Sequence, residues 1–154
     1  MNPRVEILLQ SRDLAKHEAE DDEVAAMWSK AVQSLRNSER GLDPPVEFTV
    51  AYQAAFQAGT AVLFACGYRA TGRDHHHNTF TAVKAIGDAE MSRAADTLDK
   101  LRLDRHEAFY GVELTVPDER LVALRSAVRQ LIGSGYARIC AERPGLAARL
   151  VPPA

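Results

Sequence analysis

Apolar residues recur at every third or fourth position along most of the chain, the spacing of helices that bury one face. Strict alternation of the strand type is nearly absent; the short VELTV at 112–116 is the exception. The pattern predicts five or six helices. The first covers about 4–17, with Val5, Leu8, Leu9 and, more loosely, Leu14 on one side. The second covers about 22–38. Acidic residues 21–23 favour its positive end, Val24, Met27, Trp28, Ala31 and Leu35 form its stripe, and Gly41 follows its end.

The third helix is the clearest. Asp43 suits the N-cap and Pro44 the first helical position. Phe48, Tyr52, Ala55, Phe56, Gly59, Val62, Leu63 and Cys66 then give a broad apolar face. Small residues among them let a neighbour come close, which marks this as the central helix of a bundle. GYRATGRDHHHNT reads as the main loop, followed by helices over about 77–86 and 89–110. Thr115 and Asp118 form a capping-box pattern, with Pro117 suited to a first turn, ahead of a sixth helix over about 117–142. The expected architecture is all-α: one antiparallel bundle of five to six helices over 1–142. A loose tail, rich in proline, is expected over 143–154.

Composition adds limits rather than a function. The chain has 154 residues, 46% hydrophobic and 26% charged, and a net charge of −2. That is an ordinary soluble domain with no global pull toward polyanions, so any nucleic-acid contact needs a local basic patch. No run approaches the ~18 uncharged apolar residues of a membrane span. Charges interrupt the first apolar run, so no signal peptide and a cytoplasmic, loosely bacterial protein are expected. Cys66 and Cys140 fall in apolar helical contexts and read as buried free thiols. No phosphate-cradling loop, dinucleotide fingerprint or nucleophile elbow is present, and no cofactor is called for.

Two stretches carry candidate chemistry. In LRLDRHEAFYG, Arg105 continues the stripe Ala94, Leu98, Leu101 toward Ala108 and Phe109. A cation at such a position needs a partner, because an unpaired buried charge costs several kcal/mol. The partner is a carboxylate of another helix, or the stem reaches the surface, or the group faces a cleft where it holds a phosphate. Arg102, Arg105 and His106 together make a small basic face fit for an RNA backbone. His106 titrates near neutrality and suits a general base, whereas Tyr110 donates or stacks but makes a poor base. In DHHHNT, three successive histidines invite a metal, but adjacent side chains rarely converge into a closed site and no accompanying ligand motif is present. No metal site is assigned; a histidine or Asn78 is expected to satisfy backbone groups at the start of the fourth helix.

Three stretches in order, AYQAAFQAGTAVLFACGYR at 51–69, HNTFTAVKAIG at 77–87 and LDKLRLDRHEAFYG at 98–111, resemble the HEPN superfamily of small helical bundles over about residues 25–140. The resemblance implies a homodimer in which two copies of an R-x4–6-H motif meet in one cleft. Arg105 matches the arginine and His106 the adjacent polar position, but Tyr110 stands where the nuclease histidine belongs. The catalytic candidates are therefore Arg105, His106 and Tyr110 in a degenerate motif, and the RNA- or ligand-contacting candidates are Arg102, Arg105, His77 and Tyr52. The resulting expectation is a dimeric module that binds RNA, a nucleotide or a cognate protein in a toxin–antitoxin or phage-defence setting. The alternatives are a metal-independent endoribonuclease using Arg105 and His106, and a non-catalytic interaction scaffold.

Overall fold

In the computed structural model the described residues are 2–110 and 116–153, with the backbone alone described for 103–110. They form six α-helices, a two-stranded sheet and a 3-10 turn: α1 (Pro3–Gln10), β1 (Leu14–Lys16), α2 (Asp21–Ser38), α3 (Pro44–Ala65), β2 (Tyr68–Ala70), α4 (His75–Ile86), α5 (Ala89–Tyr110), α6 (Asp118–Glu142) and η1 (Pro144–Leu146). The protein is an all-α helical bundle, as the periodicity predicts. No helix among the described residues is long and apolar enough to cross a membrane.

Helix α3 is the hub, packing against α2, α4, α5, α6 and β2. Ala51, Ala54, Ala55, Ala58, Gly59 and Ala61 are all buried. Their small side chains let large neighbours sit close. A Cβ on Gly59 would lie 3.2 Å from the Thr79 methyl, and one on Gly135 of α6 would lie 3.1 Å from Val62. The core between the helices holds Trp28, Phe48, Tyr52, Phe80, Leu98, Leu131 and Ile139, each fully buried. The helix directions are mixed rather than purely antiparallel. Ser34 of α2 meets Gln57 of α3, and Ser38 lines one cavity with Glu47, so α2 and α3 run oppositely. Glu47 meets Arg125, and Val62 faces Gly135, so α3 and α6 run the same way.

The first helix is shorter than the predicted 4–17. It ends at Gln10 because the chain turns left-handed at Arg12, φ 63°. The amide of Arg12 donates to the Leu9 carbonyl and that of Asp13 to Leu8, the paired bonds of a Schellman end. An arginine, not a glycine, holds the left-handed position, which hides the stop from a sequence reading. Leu14, buried as expected, is therefore on strand β1, paired antiparallel with β2 in the register Leu14↔Ala70 and Lys16↔Tyr68. Part of the expected main loop is thus strand. Pro117 occupies the N-cap position of α6 rather than its first turn. Thr115 and most of VELTV lie outside the described residues.

The C-terminal segment is packed, not loose. Leu146 and Leu150 are buried. Trp28 Nε1 donates to the Val151 carbonyl at 2.8 Å. Arg143 donates to the Ala65 carbonyl at the end of α3 and to the Ala19 carbonyl, and pairs with Asp21 at 2.8 Å. Arg149 pairs with Asp22. Prolines and glycine limit the segment to a turn and an extended strap, yet its two leucines and two arginines dock it. Cys66 and Cys140 are free and half-buried rather than buried, and burial pushes the Cys66 thiol above its ordinary range. Docking of the strap predicts that Leu146→Ala lowers the unfolding free energy by about 2–5 kcal/mol in urea denaturation. Ala148→Ser, at an exposed position of the same segment, should change it by no more than about 0.5 kcal/mol.

Candidate functional site

Helix α4 begins at His75, two residues earlier than its periodicity suggests, because Asp74 caps it. The Asp74 carboxylate accepts the His77 backbone N–H at 3.2 Å. The three histidines therefore occupy the first helical turn, where successive side chains fan apart by about 100° each. His75 is exposed. His76 turns inward, its ring 4.3 Å from Phe56 and 5.6 Å from Tyr52. His77 turns toward α5. Divergence of this kind cannot chelate one ion, and among the described residues no group of three His, Cys, Asp or Glu is placed to hold a metal. Asn78 meets the expectation of a backbone partner: its amide donates to the Thr71 carbonyl at 2.7 Å and reaches Asp13 at 3.4 Å. That bond needs the chain to turn at Gly72, φ 84°, where a Cβ would lie 3.0 Å from the Asn78 amide.

Helix α5 runs antiparallel to α4, which brings residues 74, 77 and 84 opposite 102, 99 and 96. Met91, Ala94, Ala95, Leu98 and Leu101 are buried, so the apolar stripe is real up to Leu101. Lys84 and Lys100 both bond Asp96, and those bonds hold its carboxyl below the usual range. One turn further on, a second group forms. His77 Nδ1 and the Asp99 carboxylate are 2.8 Å apart, and Arg102 Nε donates to the same oxygen at 3.2 Å. Arg102 Nη1 then reaches the other oxygen of Asp74 at 3.4 Å. The bonds close a ring: Asp74 to the His77 backbone, the His77 ring to Asp99, Asp99 to Arg102, and Arg102 back to Asp74.

The ring has chemical consequences. An ionised carboxylate only accepts, so Asp99 fixes the proton on His77 Nδ1 and leaves Nε2 as an acceptor. The His77 side chain is 42% exposed while Asp99 is 16% exposed, so a sheltered acid orients an accessible imidazole. Arg102 commits Nε and Nη1 to acids and keeps Nη2 for another anion. Two carboxylates and one guanidinium leave the ring itself with no net positive charge. Arg12, Arg69 and Arg73 stand in the segments that lead into α4. All three are exposed, and none has a carboxylate partner among the described residues. Their backbones lie where β1, β2 and the start of α4 meet, with the Asp13 carboxylate among them: Thr71 bonds the Arg12 carbonyl at 2.7 Å, Arg69 lies within β2, and Asn78 reaches Asp13.

Of the residues picked out by sequence, His77 and Arg102 are brought together. Tyr52 is not at this surface. It is fully buried, edge-on to Phe80 and His76, and its place is in the core. The side chains of Arg105, His106 and Tyr110 lie outside the described residues. Asp99 and Asp74, which organise the site, were missed. Their signal was present in the spacing of Asp99 and Arg102, three residues apart on one helical face.

If the ring is a coupled unit, His77→Ala and Asp99→Ala in a double-mutant cycle should show an interaction of about 0.5 kcal/mol or more in urea unfolding. Strictly additive losses would mean the pair is a surface coincidence. Compared with known proteins, the chain matches no protein-family model, no curated protein and no solved structure.

Proposed function

We propose that this chain is a HEPN-type helical module of the cytoplasm that acts as a homodimer and binds RNA across the start of α4 and the second half of α5. The observation that carries the reading is the convergence of His77 and Arg102 on Asp99. Two residues 25 positions apart, both selected as RNA contacts on other grounds, are held side by side. A bracing acid fixes a planar guanidinium in one orientation, and a fixed fork of donors suits a phosphate better than a mobile one.

Charge near the start of α4 supports the reading. The chain as a whole carries −2, yet Arg12, Arg69 and Arg73 stand in the segments that lead into that helix. Phosphate contacts of this kind position a nucleic acid and give salt-dependent binding without reading its sequence. Arg105 follows Arg102 by three residues and extends the contact line toward the partner copy in this reading. The degenerate motif, with Tyr110 in the place of a histidine, favours binding over cleavage.

Two measurements test the proposal. Fluorescence anisotropy with a single-stranded RNA should show affinity falling steeply between about 50 and 200 mM salt. Arg73→Ala and Arg105→Ala should each weaken binding and reduce the salt slope by about 1. Binding that ignores salt and both substitutions removes the site. Light scattering at micromolar concentration should return twice the chain mass, and a strict monomer overturns the dimer.

A further inference from the structure

Three of the described cavities carry carboxylates in their walls. The cavity between α2, α3 and α6 has Glu39 and Glu47, the one between α5 and α6 has Asp88 and Glu90, and the one beside β1 has Glu18. A fourth has none. It lies between α2, α3, β2 and the start of α4, with Met27, Phe56, Phe64 and Thr60 on its floor and Arg69 and His75 among its lining. Phe56, Thr60 and Phe64 are spaced four apart on α3, so they form one continuous strip. Each phenyl ring is backed by an imidazole: Phe56 by His76 at 4.3 Å, and Phe64 by His17 at 4.9 Å. These contacts fix the ring planes. The aromatic and thioether floor favours a flat, polarisable ring. The guanidinium of Arg69, exposed and without a carboxylate partner among the described residues, favours an anion beside it.

We infer that this slot holds one unpaired nucleobase, with its phosphate against Arg69 and His75. The inference rests on the RNA-binding reading and adds the place where a base goes. Size supports a single base. The cavity is about 180 Å³, below the roughly 300–1,000 Å³ of sites for whole drug-sized molecules. A dinucleotide cofactor does not fit, whereas one ring system with its sugar and phosphate at the mouth does. Location supports it too. Arg69 and His75 line the slot together, so a strand whose phosphate those two hold passes its mouth. Only a single strand can turn a base out in this way, since bases in an A-form duplex are stacked away. The RNA bound is therefore single-stranded, and stacking rather than hydrogen-bond readout makes the slot tolerant of base identity.

The test compares three probes of equal length by anisotropy with the full chain: a single-stranded RNA, its duplex, and an oligomer with the same backbone but abasic sites. The slot predicts that the single strand binds about tenfold or more tighter than the abasic oligomer. Arg69→Ala should weaken the single strand, and Phe64→Leu should erase the difference between single strand and abasic oligomer. Phe64 is half-buried, so its variant is checked by circular dichroism. If that variant does not fold, Phe56→Leu replaces it as the test of the floor. Equal affinity for single-stranded and abasic probes overturns the slot and leaves the phosphate-binding face standing. No binding of any probe overturns both.

Discussion

Close approach to the backbone of α3 is the constraint on which the architecture turns. Alanines and Gly59 leave that helix with little side-chain bulk, so α2, α4, α5 and α6 can all lie against it. Large residues come from the neighbours, Trp28 from α2, Phe80 from α4, Leu98 from α5, Leu131 and Ile139 from α6, and interleave with Phe48, Tyr52 and Leu63 of α3 itself. A single hub also fixes where those helices end. Helices α4 and α5 are both seated on α3 and against each other, which holds their antiparallel register. The Asp74, His77, Asp99 and Arg102 ring is a result of that register.

The hub also carries a buried charge. Glu47 is 7% exposed, and both its oxygens are taken by Arg125 of α6, at 2.6 and 2.8 Å. Arg125 itself is exposed, so its removal, rather than that of Glu47, leaves a sheltered charge without its partner. The pair ties the start of α3 to α6 in the same alignment as the Val62 contact with Gly135 further along. Hydrogen bonding to Glu47 in turn strengthens the guanidinium's hold on its proton.

Most helices were legible because their apolar spacing is regular and their burial is one-sided. The second, third and fifth segments fall almost where the pattern put them. What could not be read was set by partners distant in sequence. Arg12 turns left-handed without glycine, so nothing local announced the end of α1 or the strand after it. Asp74 caps α4 from within a polar run that read as loop. The C-terminal strap carries the composition of a free end, but Arg143 finds carbonyls of Ala65 and Ala19 that only the folded chain presents. The site was half legible for the same reason. His77 and Arg102 stand out by type, whereas the acid that joins them is ordinary until two helices lie side by side.

The bond between the Trp28 indole and the Val151 carbonyl links positions 123 residues apart. The Arg143 pair with Asp21 spans 122. During synthesis, α2 leaves the ribosome long before either partner exists. Its buried indole N–H and its first turn must wait for Val151 and Arg143. The bundle therefore cannot complete itself vectorially: its N-terminal half stays provisional until residues 143–151 arrive, and that strap is the latch that closes it.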